Sequence, residues 1–221
     1  MAYVVVKLIV LNLSIPFISF NFLHLLNIYD ILVTFEVSKF SIFKYFNERQ
    51  FSNIPVIFVT NMSYMFNKCK KLKEIKGMNK FNTINLTTTY AMFQFCTEIE
   101  KIDLSGFDTS NVTNMSYMFN KCKKLKEIKG LNTFITNNVK DMARMFNECS
   151  ELENLVLTSF ETPNVTNFSS MFNKCNNLKY LNLLNFEING TTKNMFGFEN
   201  KNTCNFITNN EELLRLYNSN E

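Results

Sequence analysis

Met and Phe recur along the chain as adjacent pairs at a nearly constant interval. Met65-Phe66, Met92-Phe93, Met118-Phe119, Met145-Phe146 and Met171-Phe172 lie 27, 26, 27 and 26 residues apart. Four residues after each Met comes a Cys: Cys69, Cys96, Cys122, Cys149 and Cys175. Around the third pair, Met115, Met118, Phe119 and Cys122 fall at i, i+3, i+4 and i+7, the spacing of one apolar helical face. Thr113 or Asn114 stands where an N-cap would accept from the first free amides. The rest of each unit carries an L-x-x-L-x-L pattern. It reads Ile99-Ile102-Leu104, Leu152-Leu155-Leu157 and Leu178-Leu181-Leu183, and is shortened to Leu72-Ile75 and Leu125-Ile128 where Gly77 and Gly130 take the third position. Alternation of its last two apolar positions predicts a half-buried strand.

Val59–Gly77 recurs unchanged at Val112–Gly130, 53 residues on, so two units make one near-perfect double repeat. A period of 26–27 residues lies in the leucine-rich-repeat range. The expected fold is therefore α/β: a leucine-rich-repeat solenoid with one short parallel strand and one short helix per repeat, five clear repeats and degenerate ends. A sixth, degenerate unit is marked by Met195-Phe196, and Cys204 is out of register. The expected division is an apolar N-terminal segment at 1–50, the repeats at 51–196 and a C-terminal cap at 197–221. In the cap, Asn210–Tyr217 has helical spacing.

Phe107–Cys122 (FDTSNVTNMSYMFNKC) and Phe160–Cys175 (FETPNVTNFSSMFNKC) resemble the BspA-like leucine-rich repeat, the surface-protein repeat of about 26 residues. The resemblance covers about Val56 to Phe196. It implies a binding surface, and a cell-surface or secreted setting in a host-associated microbe.

From Leu8 to Tyr29 there is no Asp, Glu, Lys or Arg. Pro16 and several Asn and Ser interrupt the stretch, leaving three readings open: a cap over the first repeat, a signal peptide or an anchor. Membrane association is expected only through this segment. Phe40-Phe43-Tyr45 reads as a degraded earlier repeat. The one histidine, His24, lies in this apolar stretch and has no second histidine to join it in a metal site.

Chemistry changes this picture little. No catalytic motif stands in the chain, and no cofactor or metal is expected. The cysteines form no C-x-x-C pair, so they read as a ladder of buried thiols. The N-x-S/T sequons at Asn12, Asn61, Asn85, Asn111, Asn114, Asn164, Asn167 and Asn189 follow from the repeat's turn chemistry without need of glycans.

Charge is more informative. The net value is +4, with no block of one sign to suggest nucleic acid. Aligned across repeats, Lys73, Glu100, Lys126, Glu153 and Lys179 alternate in sign. So do Glu74, Lys101 and Glu127, and Lys71, Glu98, Lys124 and Glu151. Such columns pin strand register and neutralise the face they occupy. The alternation stops at Asn154, Val156, Tyr180 and Asn182, which are the expected partner-binding residues. The function expected is a non-enzymatic, monomeric protein- or glycan-binding module serving adhesion at a cell surface. The alternative is an intracellular scaffold or viral accessory protein.

Overall fold

The computed structural model describes residues 57–75, 78 and 81–219. The expectations for residues 1–50, including His24 and Phe40-Phe43-Tyr45, lie outside them. Among the described residues there are seven short strands and one α-helix: β1 (Ile57–Phe58), β2 (Phe81–Asn82), β3 (Lys101–Asp103), β4 (Glu127–Lys129), β5 (Asn154–Val156), β6 (Tyr180–Asn182), β7 (Asn205–Ile207) and α1 (Glu211–Asn218). All pairings are parallel. They form three small sheets, β1-β2, β3-β4 and β5-β6-β7.

The L-x-x-L-x-L segments of the second to fifth repeats supply β3 to β6. Ile102 stands opposite Ile128 and Leu155 opposite Leu181. In β3 and β5 the middle residue is buried and its neighbours are exposed, as period-2 alternation requires. The sheet breaks between β4 and β5. There the third repeat puts Gly130 (φ 87°) where the second has Leu104, and an extra residue follows in a 3-10 turn at Leu131–Thr133. A Cβ on Gly130 would lie 2.5 Å from the Ser105 amide nitrogen, so no larger residue fits that corner. Leu131 fills the core place instead, 5% exposed.

The short helix expected in each repeat does not form. Its residues make consecutive four-residue turns. In the third repeat the Met118 amide donates to the Met115 carbonyl, Asn120 to Tyr117 and Cys122 to Phe119, each three residues back. Between them the amides of Met115, Tyr117, Phe119 and Lys121 leave the repeat altogether. They donate to Asp141, Ala143, Met145 and Asn147 of the next repeat at 2.8–3.0 Å. A backbone that sends every second amide to a neighbour cannot complete the i to i−4 ladder of an α-helix.

This geometry needs left-handed residues. Tyr64, Ala91, Tyr117, Arg144, Ser170 and Asn194 occupy one such column and Lys68, Phe95, Lys121, Glu148 and Lys174 a second, all with φ between 52° and 64°. A left-handed non-glycine residue costs on the order of 1 kcal/mol, offset here by the hydrogen bonds to the next repeat. Asn114 does serve a turn, though not a helix. Its Oδ1 accepts from the Ser116 amide at 2.9 Å, and Asn61, Asp141 and Asn167 do the same for the amides two residues on.

The core runs along the stacked repeats. Phe66, Phe93, Phe119, Phe146, Phe172 and Phe196 form one stack, with centroids 5.3–5.9 Å apart and planes within 13° of parallel. Phe134, Phe160 and Phe186 form a second. Beside it, the buried hydroxyls of Thr109 and Thr162 each donate to a carbonyl of the next repeat and accept an amide from the same residue, Ile135 and Glu187. One side chain thus supplies both halves of a missing backbone pairing.

The helical spacing at Asn210–Tyr217 is met by α1, and a strand precedes it. Strand β7 within 197–221 extends the sheet past Phe196, so the repeat pairing continues into the cap. Asn210 caps α1 by accepting from the Leu213 amide, and Glu211 and Glu212 sit in its first turn, where carboxylates favour the helix dipole. Leu213 is fully buried. Tyr217 stacks on Phe206 at 4.2 Å, meets Phe196 edge-on at 5.3 Å and donates its hydroxyl to the Lys201 carbonyl at 2.7 Å.

Candidate functional site

The strand face divides into two halves of different chemistry. Over β3 and β4 the charges pair across repeats: Lys101 with Glu127 at 3.0 Å, Lys126 with Glu100 at 3.4 Å and Lys124 with Glu98 at 2.7 Å. The hydrogen bond that Lys124 donates to Glu98 holds its ammonium above its ordinary pKa, and the bond to Glu100 does the same for Lys126. Asp103 is held below the usual carboxylate range by the Ser105 amide, to which its Oδ1 is bonded at 2.9 Å. Lys126 departs from the simple column. Its second acid is Glu151, at 3.5 Å, and not Glu153.

Over β5, β6 and β7 the pairing reduces to Glu153 with Lys179 at 2.8 Å. The four residues expected to bind a partner are together here, because Asn154 pairs in register with Tyr180 and Val156 with Asn182. Val156 is 47% exposed, a large apolar side chain in water. Asn154 is exposed, and Tyr180 and Asn182 are half-buried. Asn182 has structural work as well: its Oδ1 accepts from the Leu184 amide at 3.1 Å, and its Nδ2 donates to the Tyr180 hydroxyl at 3.3 Å. Sequence reasoning missed Asn205 and Ile207, which stand opposite Tyr180 and Asn182 on β7. Their signal was the polar-apolar-apolar run Asn205-Phe206-Ile207 after a cysteine out of register.

The Glu153–Lys179 pair offers a direct check of the charge columns. Glu153→Lys should destabilise by about 0.2–1 kcal/mol, less in high salt. Adding Lys179→Glu restores an opposite pair and should recover part of that loss. Urea midpoints of the two variants measure it, and no recovery in the double variant would mean the column is uncoupled.

The cysteines and asparagines serve the stack. The thiols of Cys96, Cys122, Cys149 and Cys175 donate to the carbonyls of Phe66, Phe93, Phe119 and Phe146 at 3.0–3.2 Å. Cys96, Cys122, Cys149, Cys175 and Cys204 are in the thiol form, outside any disulfide. Burial raises the pKa of the first four thiols, to about 12 for Cys175, which keeps them from the thiolate form that nucleophiles and metal ligands require. Asn147 donates to Asn120 at 2.7 Å and Asn173 to Asn147 at 2.8 Å, an amide ladder one residue after the phenylalanines. The sequon residues Asn111, Asn164 and Asn189 donate their side-chain amides to carbonyls of the preceding repeat at 2.7–3.0 Å. Among the described residues no group of three or more His, Cys, Asp or Glu is placed to hold a metal ion, and no helix is long and apolar enough to cross a membrane.

The turn face differs again. Tyr64 meets Tyr90 edge-on at 5.0 Å and Tyr90 meets Tyr117 at 5.7 Å. The hydrogen bond with Tyr64 and burial push the Tyr90 phenol up to about 12. Arg144 lies 5.4 Å over the Tyr117 ring and donates to its hydroxyl at 2.9 Å. Lys121 lies 5.1 Å over Phe95.

No curated protein and no solved structure matches the chain. One family model does, twice in succession, over residues 37–133 and 123–211. Two tandem matches fit a chain whose turns, thiols and asparagines each repeat in register. The chain belongs to the repeat family described as Mycoplasma protein of unknown function, DUF285.

Proposed function

We propose that the repeats form a leucine-rich-repeat-type solenoid of the BspA-like kind. It works as a non-enzymatic module that binds a protein or glycan through the β5-β6-β7 strand face, in adhesion at a cell surface. The observation that carries this reading is the change in that face at the break after β4. Before it, lysines and glutamates of neighbouring repeats satisfy one another. After it, exposed Val156 lies beside Tyr180, Asn154 and Asn182 with a single ion pair at the edge. Apolar and aromatic groups that can be desolvated cheaply are the usual anchors of an interface, and paired surface charges have little left to offer.

The test is binding of the immobilised full chain to a panel of extracellular-matrix proteins and glycans. For a retained ligand, Val156→Asp and Tyr180→Ala should each weaken binding roughly tenfold, ~1.4 kcal/mol, while Lys101→Ser leaves it unchanged. Binding that survives both strand-face substitutions would place the contact elsewhere.

A further inference from the structure

The turn face carries an unbalanced positive charge at a fixed interval. Its second left-handed column reads Lys68, Phe95, Lys121, Glu148, Lys174, and the column two residues on reads Lys70, Thr97, Lys123, Ser150, Asn176. That is five lysines against one glutamate. On the strand face an acidic residue of a neighbouring repeat answers Lys101, Lys126 and Lys179. Here Phe95 and Thr97 stand where an acid would sit, and only Lys121 is paired, with Glu148 at 3.6 Å. Lys68, Lys70, Lys123 and Lys174 are exposed and have no acidic partner among the described residues. The cations fall on the first, third and fifth repeats, so at the strand spacing they recur about every 10 Å. The Lys70 amide donates to the Lys68 carbonyl at 2.8 Å, which holds the first pair at one corner.

We propose that this ridge binds a linear sulfated polysaccharide lying along the stack of repeats, one disaccharide for every two repeats. The proposal does not rest on the strand-face reading, since it uses a different face and other residues. An anionic group on each disaccharide meets lysine at each odd repeat, Lys68 with Lys70, then Lys123, then Lys174; Phe95 and Thr97 lie under the sugar between the first two, and Glu148 between the last two is held by Lys121. The neighbouring row of Tyr64, Tyr90 and Tyr117, ending in Arg144, offers ring edges and hydroxyls to the sugar. A nucleic acid fits less well. Its phosphates follow one another at about 3.4 Å of axial rise per strand in a duplex, and the bases of a single strand need open ring faces. The tyrosines are packed edge to face at 88° and 69°, which leaves no row of parallel faces on which successive bases could stack.

The test uses the full chain with heparin, desulfated heparin and a single-stranded oligonucleotide as probes, each titrated at several salt concentrations. One variant carries Lys68→Asn, Lys70→Ser, Lys123→Ser and Lys174→Asn; asparagine tolerates the left-handed backbone at Lys68 and Lys174. A second carries only Lys70→Ser and Lys123→Ser, and serves if the first does not fold. The control removes as many lysines from the strand face: Lys101→Ser, Lys126→Ser, Lys129→Ser and Lys179→Ser. Expected are binding to heparin but not to its desulfated form, and loss of roughly tenfold or more in the turn-face variant against little change in the control. Equal losses in variant and control would reduce the effect to net charge and overturn the proposal. No binding of heparin at low salt, or tighter binding of the oligonucleotide, would overturn it as well.

Discussion

Phe119→Ala should destabilise the protein by about 3–5 kcal/mol, and equilibrium urea unfolding should read it as a large drop in midpoint. Phe119 is fully buried, with Phe93 stacked on one side at 5.6 Å and Phe146 on the other at 5.5 Å. Truncation removes the apolar burial of the ring and leaves a void that turns hydrogen-bonded to both neighbours cannot collapse to fill. It also breaks two aromatic contacts at once, each worth about 0.5–1.5 kcal/mol beyond burial. Phe119→Leu keeps most of the volume and should cost distinctly less. Ile84→Ala, at a side chain 52% exposed, should stay within about 0.5 kcal/mol. Because a repeat stack is stabilised mainly between neighbours, the alanine also separates the first repeats from the last. A broadened or two-step transition is then expected. A loss under about 1.5 kcal/mol with a single sharp transition would mean the stack does not couple the repeats.

The repeat period and the core were legible because burial acts on side chains, and the sequence displays side chains. Met115, Met118, Phe119 and Cys122 are all buried as their spacing implies. The backbone beneath them was misread for a definite reason. Two four-residue turns in succession place their inward corners at i, i+3, i+4 and i+7, the same positions as a helical face. What separates the two is the left-handed residue third in the turn, and Tyr117 and Lys121 are not residues whose type announces it. Had those columns held Gly or Asn, turns would have been the first reading.

Strand β7 was hidden because Asn205-Phe206-Ile207 lacks the leucines of its predecessors, and Cys204 interrupts the expected register. Helix α1 was legible from its own spacing. The face proposed to bind a partner was legible only as a gap in the charge alternation. The break after β4 that makes β5-β6-β7 a sheet of its own depends on one extra residue after Gly130, which a count of the repeat shows but does not interpret.

The cysteine ladder should make the protein unusually sensitive to alkali. Each buried thiol donates to a phenylalanine carbonyl of the preceding repeat, so the thiolate would lose its hydrogen bond and face an oxygen in an apolar core. The folded thiols therefore ionise well above the ordinary 9.0, Cys175 at about 12. Below pH 9 both folded and unfolded chains hold these protons, and stability is at its full value. Above it the unfolded chain sheds them and the folded chain does not, so stability falls as pH rises. Each thiol lowers it by up to about 1.4 kcal/mol per pH unit. Four together can remove on the order of 10 kcal/mol between pH 9 and 11, comparable with the total stability of an ordinary domain. Unfolding on raising the pH through this window is the expected result, followed by urea midpoints at stepped pH. Cys122→Ser keeps a donor for the Phe93 carbonyl and removes one ionisation. It should cost about 1–2 kcal/mol at neutral pH for the lost burial and flatten the alkaline slope by about one quarter. In the native protein at pH 8, a thiol reagent should label half-buried Cys69 first and leave Cys96, Cys122, Cys149 and Cys175 protected until denaturant is added. Parallel slopes for the wild type and Cys122→Ser, or early labelling of Cys122, would remove the thiols from the account of stability.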